Sequence, residues 1–352
     1  MRAKTQRART ALGASIIATV IGASVLAPPA SADAIADFYK GKSITVIVSS
    51  GAGGGYDTYS RALARHMVRH IPGEPRMIPQ NMPGAGSLTA VNYVYNVAAK
   101  DGTVIGDSDS NMPFYTLFEG QNTKFDPYKL NWLGSIANQL SVCVAWSESS
   151  FKTLDEAMAR PMRVSGTGAQ SWRVTLPKLY NNVAGSQFNV IPGYSSTEVF
   201  LALERGEADG TCPTYDTLQA TKFDWLQNKK IVFLAQFGLK PAHGLEDVPV
   251  ALDRVKDPQD KEAMKLILSQ QLTGRPYMAP PGVPADRVAA LRTAFEATMK
   301  DPLFLADAEK IHLWIDPLNW NEMHKLLDSA YNAPPATIER ARILMKKAIE
   351  EK

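Results

Sequence analysis

The sequence predicts an α/β fold in which two domains face each other across a cleft. Three observations support this prediction: the length of the chain, the alternation of strand-like and helix-like segments, and glycine-rich loops between several of them. About 320 of the 352 residues remain after removal of a leader, enough for two α/β domains. Strands that alternate with helices are typical of a mainly parallel sheet.

The first 32 residues have the features of a secretory signal peptide. Four cations lie between residues 2 and 9, an apolar stretch runs from Ala11 to Ala27, and Ala30-Ser31-Ala32 supplies a small-residue cleavage site. A membrane anchor is less favoured, because the stretch contains small polar residues and is shorter than the ~20 residues that a span needs. We expect cleavage after Ala32 and export of a protein that is not embedded in the membrane.

Removal of the leader changes the charge balance. The leader carries four cations and no acids, so the mature chain has 34 Lys and Arg residues against 35 Asp and Glu residues. No basic stripe remains to indicate binding to nucleic acid or to an anionic membrane surface.

Two cysteines, Cys143 and Cys212, lie in or beside the strand-like runs 140–146 and 210–214. An oxidising compartment permits a disulfide between them. Two buried free thiols are the alternative, and the sequence leaves both open.

The most informative unit is a strand followed by glycines and a helix. Ser43–Val48 reads as a buried strand, residues 51–55 contain four glycines, and Tyr56-Asp57 opens a helical pattern. Glycines let backbone N–H groups converge, and a helix N-terminus adds the positive end of its dipole. The unit therefore predicts a site for an anion, either phosphate or carboxylate.

Three further junctions have a related composition. They are Pro83–Ser87 after a strand at 76–79, Gly166–Ser171 after a strand at 162–165, and Pro192–Ser196 after a strand at 188–191. A strand at 103–106 follows the second helix. Any one glycine loop can be an ordinary turn, but loops at strand ends in two halves of a chain favour a ligand cleft.

The glycine run does not match nucleotide-binding or hydrolase motifs. Tyr56 takes the place of the third glycine of G-x-G-x-x-G, and Gln80-Asn81 stand where a dinucleotide ribose would need an acid. Neither a Walker sequence nor G-x-S-x-G is present. His66 and His70 have the spacing of metal ligands, but the glutamate of H-E-x-x-H is missing and arginines flank them, which favours a solvated basic face. We expect no cofactor, no metal and no catalytic residue.

An ordered set of motifs resembles one family. It comprises Phe38–Lys42, Gly53–Asp57 with Arg61, Asn81–Gly86, Ala99–Gly102, Gly166–Ser171, Pro192–Ser195 with Leu203–Asp209, and Ala279–Pro284. In this order they resemble the Bug-type extracytoplasmic receptors of tripartite tricarboxylate transporters, over nearly the whole mature chain.

The resemblance implies a periplasmic, two-domain type II binding-protein fold. Domain 1 would hold residues 33–136 and 237–352, and domain 2 residues 137–236. A small organic carboxylate would be held largely by backbone groups and waters, and the partner would be a membrane permease. A monomer is expected. Three departures leave the identity of the carboxylate open. Tyr194-Ser195 replaces the family's Lys-Gly pair, the segment Pro72-Gly73-Glu74-Pro75 is slightly expanded, and Trp172-Arg173 follows the glycine loop Gly166–Ser171.

Twelve residues form the candidate ligand site. Asp57 is equally compatible with contact to the ligand and with a helix-capping acid paired to Arg61 at i+4. Tyr194 is a candidate wall of the cleft, and Asp216 follows the 210–214 strand and could face it. The full set is Ala52, Gly53, Gly54, Gly55, Tyr56, Asp57, Gly168, Ala169, Gln170, Ser171, Tyr194 and Asp216.

These observations predict a receptor that closes over a small carboxylate and delivers it to a permease. A sensory receptor of the same fold would share the site and differ in its partner. A periplasmic hydrolase is less favoured and would show turnover.

Overall fold

The computed structural model describes residues 32–119, 124–242 and 244–350. The predicted signal peptide, residues 1–32, lies outside this part except for its last residue, so its cleavage stays a prediction. Within the described residues, every helix is too short or too polar to cross a membrane.

The strands form two sheets. In chain order they are β1 (Ser43–Val48), β2 (Arg76–Asn81), β3 (Val104–Asp107), β4 (Asn131–Ser135), β5 (Val142–Trp146), β6 (Met162–Ser165), β7 (Phe188–Ile191), β8 (Gly210–Thr211), β9 (Ile231–Gln236), β10 (Pro276–Ala279) and β11 (Leu318–Asn319). The first sheet has the order β11-β4-β10-β3-β1-β2 and the second has the order β7-β6-β8-β5-β9.

Helices surround both sheets. They are α1 (Ala32–Tyr39), α2 (Gly55–Met67), α3 (Leu88–Asn96), α4 (Tyr115–Glu119), α5 (Leu154–Ala159), α6 (Trp172–Ala184), α7 (Glu198–Glu204), α8 (Tyr215–Thr221), α9 (Phe223–Gln227), α10 (Pro258–Ser269), α11 (Ala285–Thr298), α12 (Pro302–Lys310), α13 (Trp320–Tyr331) and α14 (Pro335–Glu350). We call each sheet with the loops at its strand ends a lobe: the first lobe is six-stranded and the second is five-stranded.

The α/β fold with two sheets confirms the predicted fold class, but the sheets are mixed rather than mainly parallel. β1 pairs in parallel with β2 and β3, and β6 pairs in parallel with β7 and β8. β10 is antiparallel to β3 and β4, and β5 is antiparallel to β8 and β9. The antiparallel strands lie where the chain passes from one sheet to the other, a long-range event that local periodicity does not reveal.

A disulfide joins Cys143 of β5 to Cys212, which directly follows β8. The two strands are antiparallel neighbours, and the Cα atoms lie 4.0 Å apart. Of the two alternatives left open by the sequence, the structure has the bonded one.

The C-terminal helices contribute to the core beside the second sheet. α14 packs against α10, α6 and α4. Leu344 and Met345 of α14 belong to the same buried cluster as Leu176 and Leu179 of α6. The domain boundaries given above stay a prediction. In this packing α14 contacts α6 of the predicted domain 2 as well as α4 and α10 of the predicted domain 1.

His66 of α2 and His70, in the turn that directly follows α2, are paired with acids rather than solvated. His66 Nε2 lies 2.8 Å from Asp307 Oδ2, and His70 Nε2 lies 3.0 Å from Asp301 Oδ2. Asp301 also accepts from Arg69 and caps α12 through the Leu303 N–H at 2.9 Å. α12 thus supplies the counter-charges for this face of α2, which the sequence could not show because the partners lie more than 200 residues away.

Replacing Asp301 with Ala should destabilise the fold, because α12 loses its cap and Arg69 loses its acceptor. A loss of about 1–2 kcal/mol in the free energy of unfolding is expected in urea titrations at pH 7. Burial raises the pKa of Asp301, but the hydrogen bonds from His70, Leu303 and Arg69 together lower it by a larger amount. The net shift of the pKa is therefore downward. The stabilisation is therefore present above the unfolded-state pKa of about 4 and is lost as the pH falls below it.

Glu309→Ala, on an exposed position of the same helix, is the matched control and should change stability little. Equal stability of the two variants at pH 7 would contradict this role of Asp301.

Candidate functional site

A cavity of about 470 Å³ lies between the two lobes. Its walls are the loops that follow β1, β2 and β3 on one side and β6, β7 and β8 on the other. These are carboxyl ends of parallel strands, where α/β sheets bind ligands. The lining residues are Ser49, Ser50, Gly51, Gly54, Gly55, Tyr56, Pro83, Gly84, Gly86, Ser87, Asp109, Thr167, Gly168, Ser171, Trp172, Arg173, Gly193, Tyr194, Ser195, Ser196, Glu198, Cys212, Pro213, Thr214 and Thr217.

The loops of the two lobes touch at glycines. A Cβ atom built on Gly54 would lie 2.8 Å from the Cβ atom of Ser196, and one built on Gly86 would lie 2.4 Å from the carbonyl carbon of Gln170. Gly86 also has a φ of 60°, which favours glycine. Glycine is therefore required at these positions for the lobes to come together.

The first glycine loop is braced from within by Asp57. This carboxylate accepts from Gly53 N–H at 2.8 Å, from Arg61 Nε at 3.0 Å and from Asn81 Nδ2 at 2.9 Å. Burial raises its pKa, but these bonds outweigh that effect and leave the pKa lowered. Asp57 thus fixes the shape of the loop, while the N–H groups of the first turn of α2 have no partner within the helix.

Tyr56 and Asp109 connect the first lobe to the start of α6. The Tyr56 hydroxyl donates to Asp109 Oδ1 at 3.0 Å and accepts from Gln139 Nε2 at 2.9 Å. Asp109 also accepts from Ser110 N–H at 2.9 Å and, weakly, from Trp172 N–H at 3.4 Å. Burial raises the pKa of Asp109, and the bond from Tyr56 offsets part of the rise.

A buried ion pair joins the lobes below the cavity. Arg275, which precedes β10, is fully buried and donates from Nε to Asp216 Oδ2 of α8 at 2.6 Å. Its Nη2 donates to Thr217 Oγ1 at 2.9 Å. The guanidinium carbon lies 4.6 Å from the ring centre of Tyr56 and 4.1 Å from that of Tyr59. Burial lowers the pKa of Arg275, but Asp216, Tyr59 and Tyr56 together raise it by more, so the net shift is upward and the guanidinium stays charged.

Solved structures share this architecture. The periplasmic binding protein BugD matches with a TM-score of 0.67 and 18% identity, over 88% of this chain and 98% of its own. Rpa4515 of R. palustris, solved with adipate, has a TM-score of 0.66 and 17% identity, over 87% and 97% of the two chains. MatC of Rhodopseudomonas palustris, with bound malate, has a TM-score of 0.65 and 18% identity, over 87% and 99%.

This chain has the fold of a periplasmic binding protein. The solved neighbours include Bug- and TctC-type proteins, in agreement with the family resemblance of the sequence. No family model matches the sequence, and the search of curated proteins finds no match. At these identities the likeness extends to the fold, and the ligand has to be argued from the cavity itself.

Half of the predicted site residues line the cavity of this binding-protein fold: Gly54, Gly55, Tyr56, Gly168, Ser171 and Tyr194. The other six lie beside it: Ala52, Gly53, Asp57, Ala169, Gln170 and Asp216. For three of these six residues, the contacts explain why they do not line the cavity. Asp57 binds its own loop, Asp216 is held by Arg275, and the Gln170 backbone packs against Gly86.

Arg173 and Asp109 line the cavity but were not among the predicted residues. In the sequence, Arg173 stands out only as a departure from the family pattern, and Asp109 belongs to no local motif. Burial lowers the pKa of Arg173 to about 10, with Asp109 opposing the shift. A charged residue directly after a glycine loop and at a helix start was the one signal that could have identified Arg173.

The Arg275–Asp216 pair should be essential to the docking of the lobes. Asp216→Asn leaves a buried guanidinium without its counter-charge, and we expect a loss of about 3–5 kcal/mol in the free energy of unfolding. The double variant Asp216→Leu/Arg275→Met removes both charges and should recover most of that loss. Urea titration measures all variants.

Asp224→Asn is the matched control, because Asp224 is an exposed acid on α9 paired only with Lys230. It should cost less than about 1 kcal/mol. If Asp216→Asn were no more harmful than Asp224→Asn, the pair would not hold the lobes together.

Proposed function

We propose that this protein is a periplasmic solute receptor that captures a small organic carboxylate and delivers it to a membrane transporter of the tripartite tricarboxylate type. The observation that carries the proposal is the cavity enclosed by loops from both lobes. A ligand in that cavity contacts both lobes at once, so it binds the closed arrangement better than an open one.

The chemistry of the walls favours an anion. The start of α2 has no side-chain cap and lines the cavity, and α6 begins on the opposite side at Trp172. Arg173 adds a positive charge. Both acids among the lining residues, Asp109 and Glu198, already accept bonds from protein N–H groups.

Adipate in Rpa4515 and malate in MatC support a carboxylate as the ligand class. A cavity of about 470 Å³ suits a small organic acid. The absence of turnover, the transporter and the periplasmic location are parts of the same proposal.

A thermal-shift screen of organic acids tests the proposal. Dicarboxylates, aromatic acids and amino acids are each added to the mature protein. An acid present at ~100 times its Kd should stabilise the fold by about 2.7 kcal/mol, which raises Tm visibly. The bound acid is then released from the protein, and its mass is measured by mass spectrometry to show whether it is unchanged. Failure of every acid to raise Tm, or conversion of the acid into a product, would contradict a carboxylate receptor.

Gly54→Ala should weaken binding of the acid found in that screen, because the added Cβ meets Ser196 at 2.8 Å and keeps the lobes apart. We expect at least a 10-fold rise in Kd by calorimetry, about 1.4 kcal/mol. The double variant Gly54→Ala/Ser196→Gly removes the obstructing side chain and should regain part of the affinity.

Gly185→Ala is the control, since Gly185 lies at the end of α6 with no atom within 4 Å of an added Cβ. It should leave Kd unchanged even though its φ of 76° will lower stability. Unaltered affinity in Gly54→Ala would remove the first glycine loop from the site.

A further inference from the structure

The Arg173 guanidinium is a cation of the cavity wall without an acceptor. In the described residues it forms no hydrogen bond or ion pair; the Phe200 ring centre lies 5.1 Å from the guanidinium carbon, and Asp109 is near enough to oppose the effect of burial on its pKa. Arginines at protein surfaces and cores normally find carboxylates or carbonyls, because a desolvated guanidinium without acceptors is unfavourable. Burial does affect this group, since it lowers the pKa to about 10.

The nearby acids are engaged elsewhere. Asp109 is bound by the Tyr56 hydroxyl and the Ser110 N–H, and Glu198 accepts from Ser195 N–H at 3.0 Å. Neither forms an ion pair with Arg173. Arg173 lines the cavity, so its guanidinium donors are left without an acceptor among the described residues.

A second donor beside it is also unpaired. Trp172 is 3% exposed and lines the cavity, and its indole Nε1–H has no partner among the described residues. Buried indole N–H groups usually find an acceptor. Trp172 and Arg173 are adjacent at the start of α6 and both line the cavity, and each thus carries a side-chain donor without an acceptor among the described residues.

We propose that Arg173 binds the anionic group of the ligand directly and sets the preference of the site for a charged acid, with the Trp172 indole N–H as a second donor. The proposal rests on the proposed function and adds the residue that confers charge specificity. The planar guanidinium fork matches a carboxylate with two parallel bonds. A ligand carboxylate would supply the acceptor that the protein does not.

Calorimetry with matched acid and amide probes tests this role. The probes are malate, adipate and benzoate, each compared with its fully amidated, neutral counterpart. For an acid that the wild-type protein binds, Arg173→Gln should raise Kd at least about 30-fold, and Arg173→Lys should raise it less, because charge remains but the fork is lost. Trp172→Phe should raise Kd about 5-fold.

The decisive quantity is the ratio of amide Kd to acid Kd. In Arg173→Gln this ratio should fall at least about 30-fold, which a general loss of stability would not produce. Arg205→Gln, an exposed arginine of the same lobe, should leave the ratio unchanged.

The outcomes separate the two proposals. If the wild-type protein binds an acid and Arg173→Gln keeps the wild-type ratio, Arg173 is not the anion-binding residue, while the receptor proposal stands. If the wild-type protein binds none of the acids in the screen, the proposed function fails and this inference fails with it.

Discussion

The buried ion pair between Arg275 and Asp216 is the interaction on which the arrangement of the site depends. It joins the residue that directly precedes β10 of the first sheet to α8, the helix that follows β8 of the second sheet. Both side chains are withdrawn from water, so each charge is strongly unfavourable without the other. The pair therefore fixes the distance between the lobes at one point directly below the cavity.

A set of contacts leads from this ion pair to the N-terminal ends of α2 and α6, which both border the cavity. The guanidinium packs on Tyr56 and Tyr59 of α2, and Tyr56 donates its hydroxyl proton to Asp109. Asp109 in turn accepts from the Trp172 N–H at the start of α6, although at 3.4 Å this bond is weak. A continuous set of contacts thus orients the donors of both walls, so few groups need to be reordered when a ligand binds.

The sequence predicted what short-range physics determines. β1, β6 and β7 begin and end where the apolar runs and glycine loops indicated, and the four loops do lie at strand ends around one cavity. The sequence leaves Asp57 open between two roles, and its contacts with Gly53, Arg61 and Asn81 favour the structural one. The mixed strand directions and the pairing of Asp216 with Arg275 both depend on residues far apart in the sequence. The local periodicity of the sequence does not reveal such long-range contacts. Arg173 was overlooked for a related reason: what distinguishes it is the lack of a partner in three dimensions.

Specificity in this site follows from which polar groups the fold leaves unsatisfied. The lobes approach closely because residues 54 and 86 are glycines. These contacts involve no charged group, so they do not distinguish between anionic and cationic ligands. The acids of the wall are bound by the protein's own donors, whereas the guanidinium of Arg173 and the indole N–H of Trp172 have no acceptor within the described residues. A cationic ligand would find no available carboxylate and would be repelled by Arg173. Under the proposed function, an anion would satisfy donors that the folded chain has already desolvated, and that difference in free energy would select it.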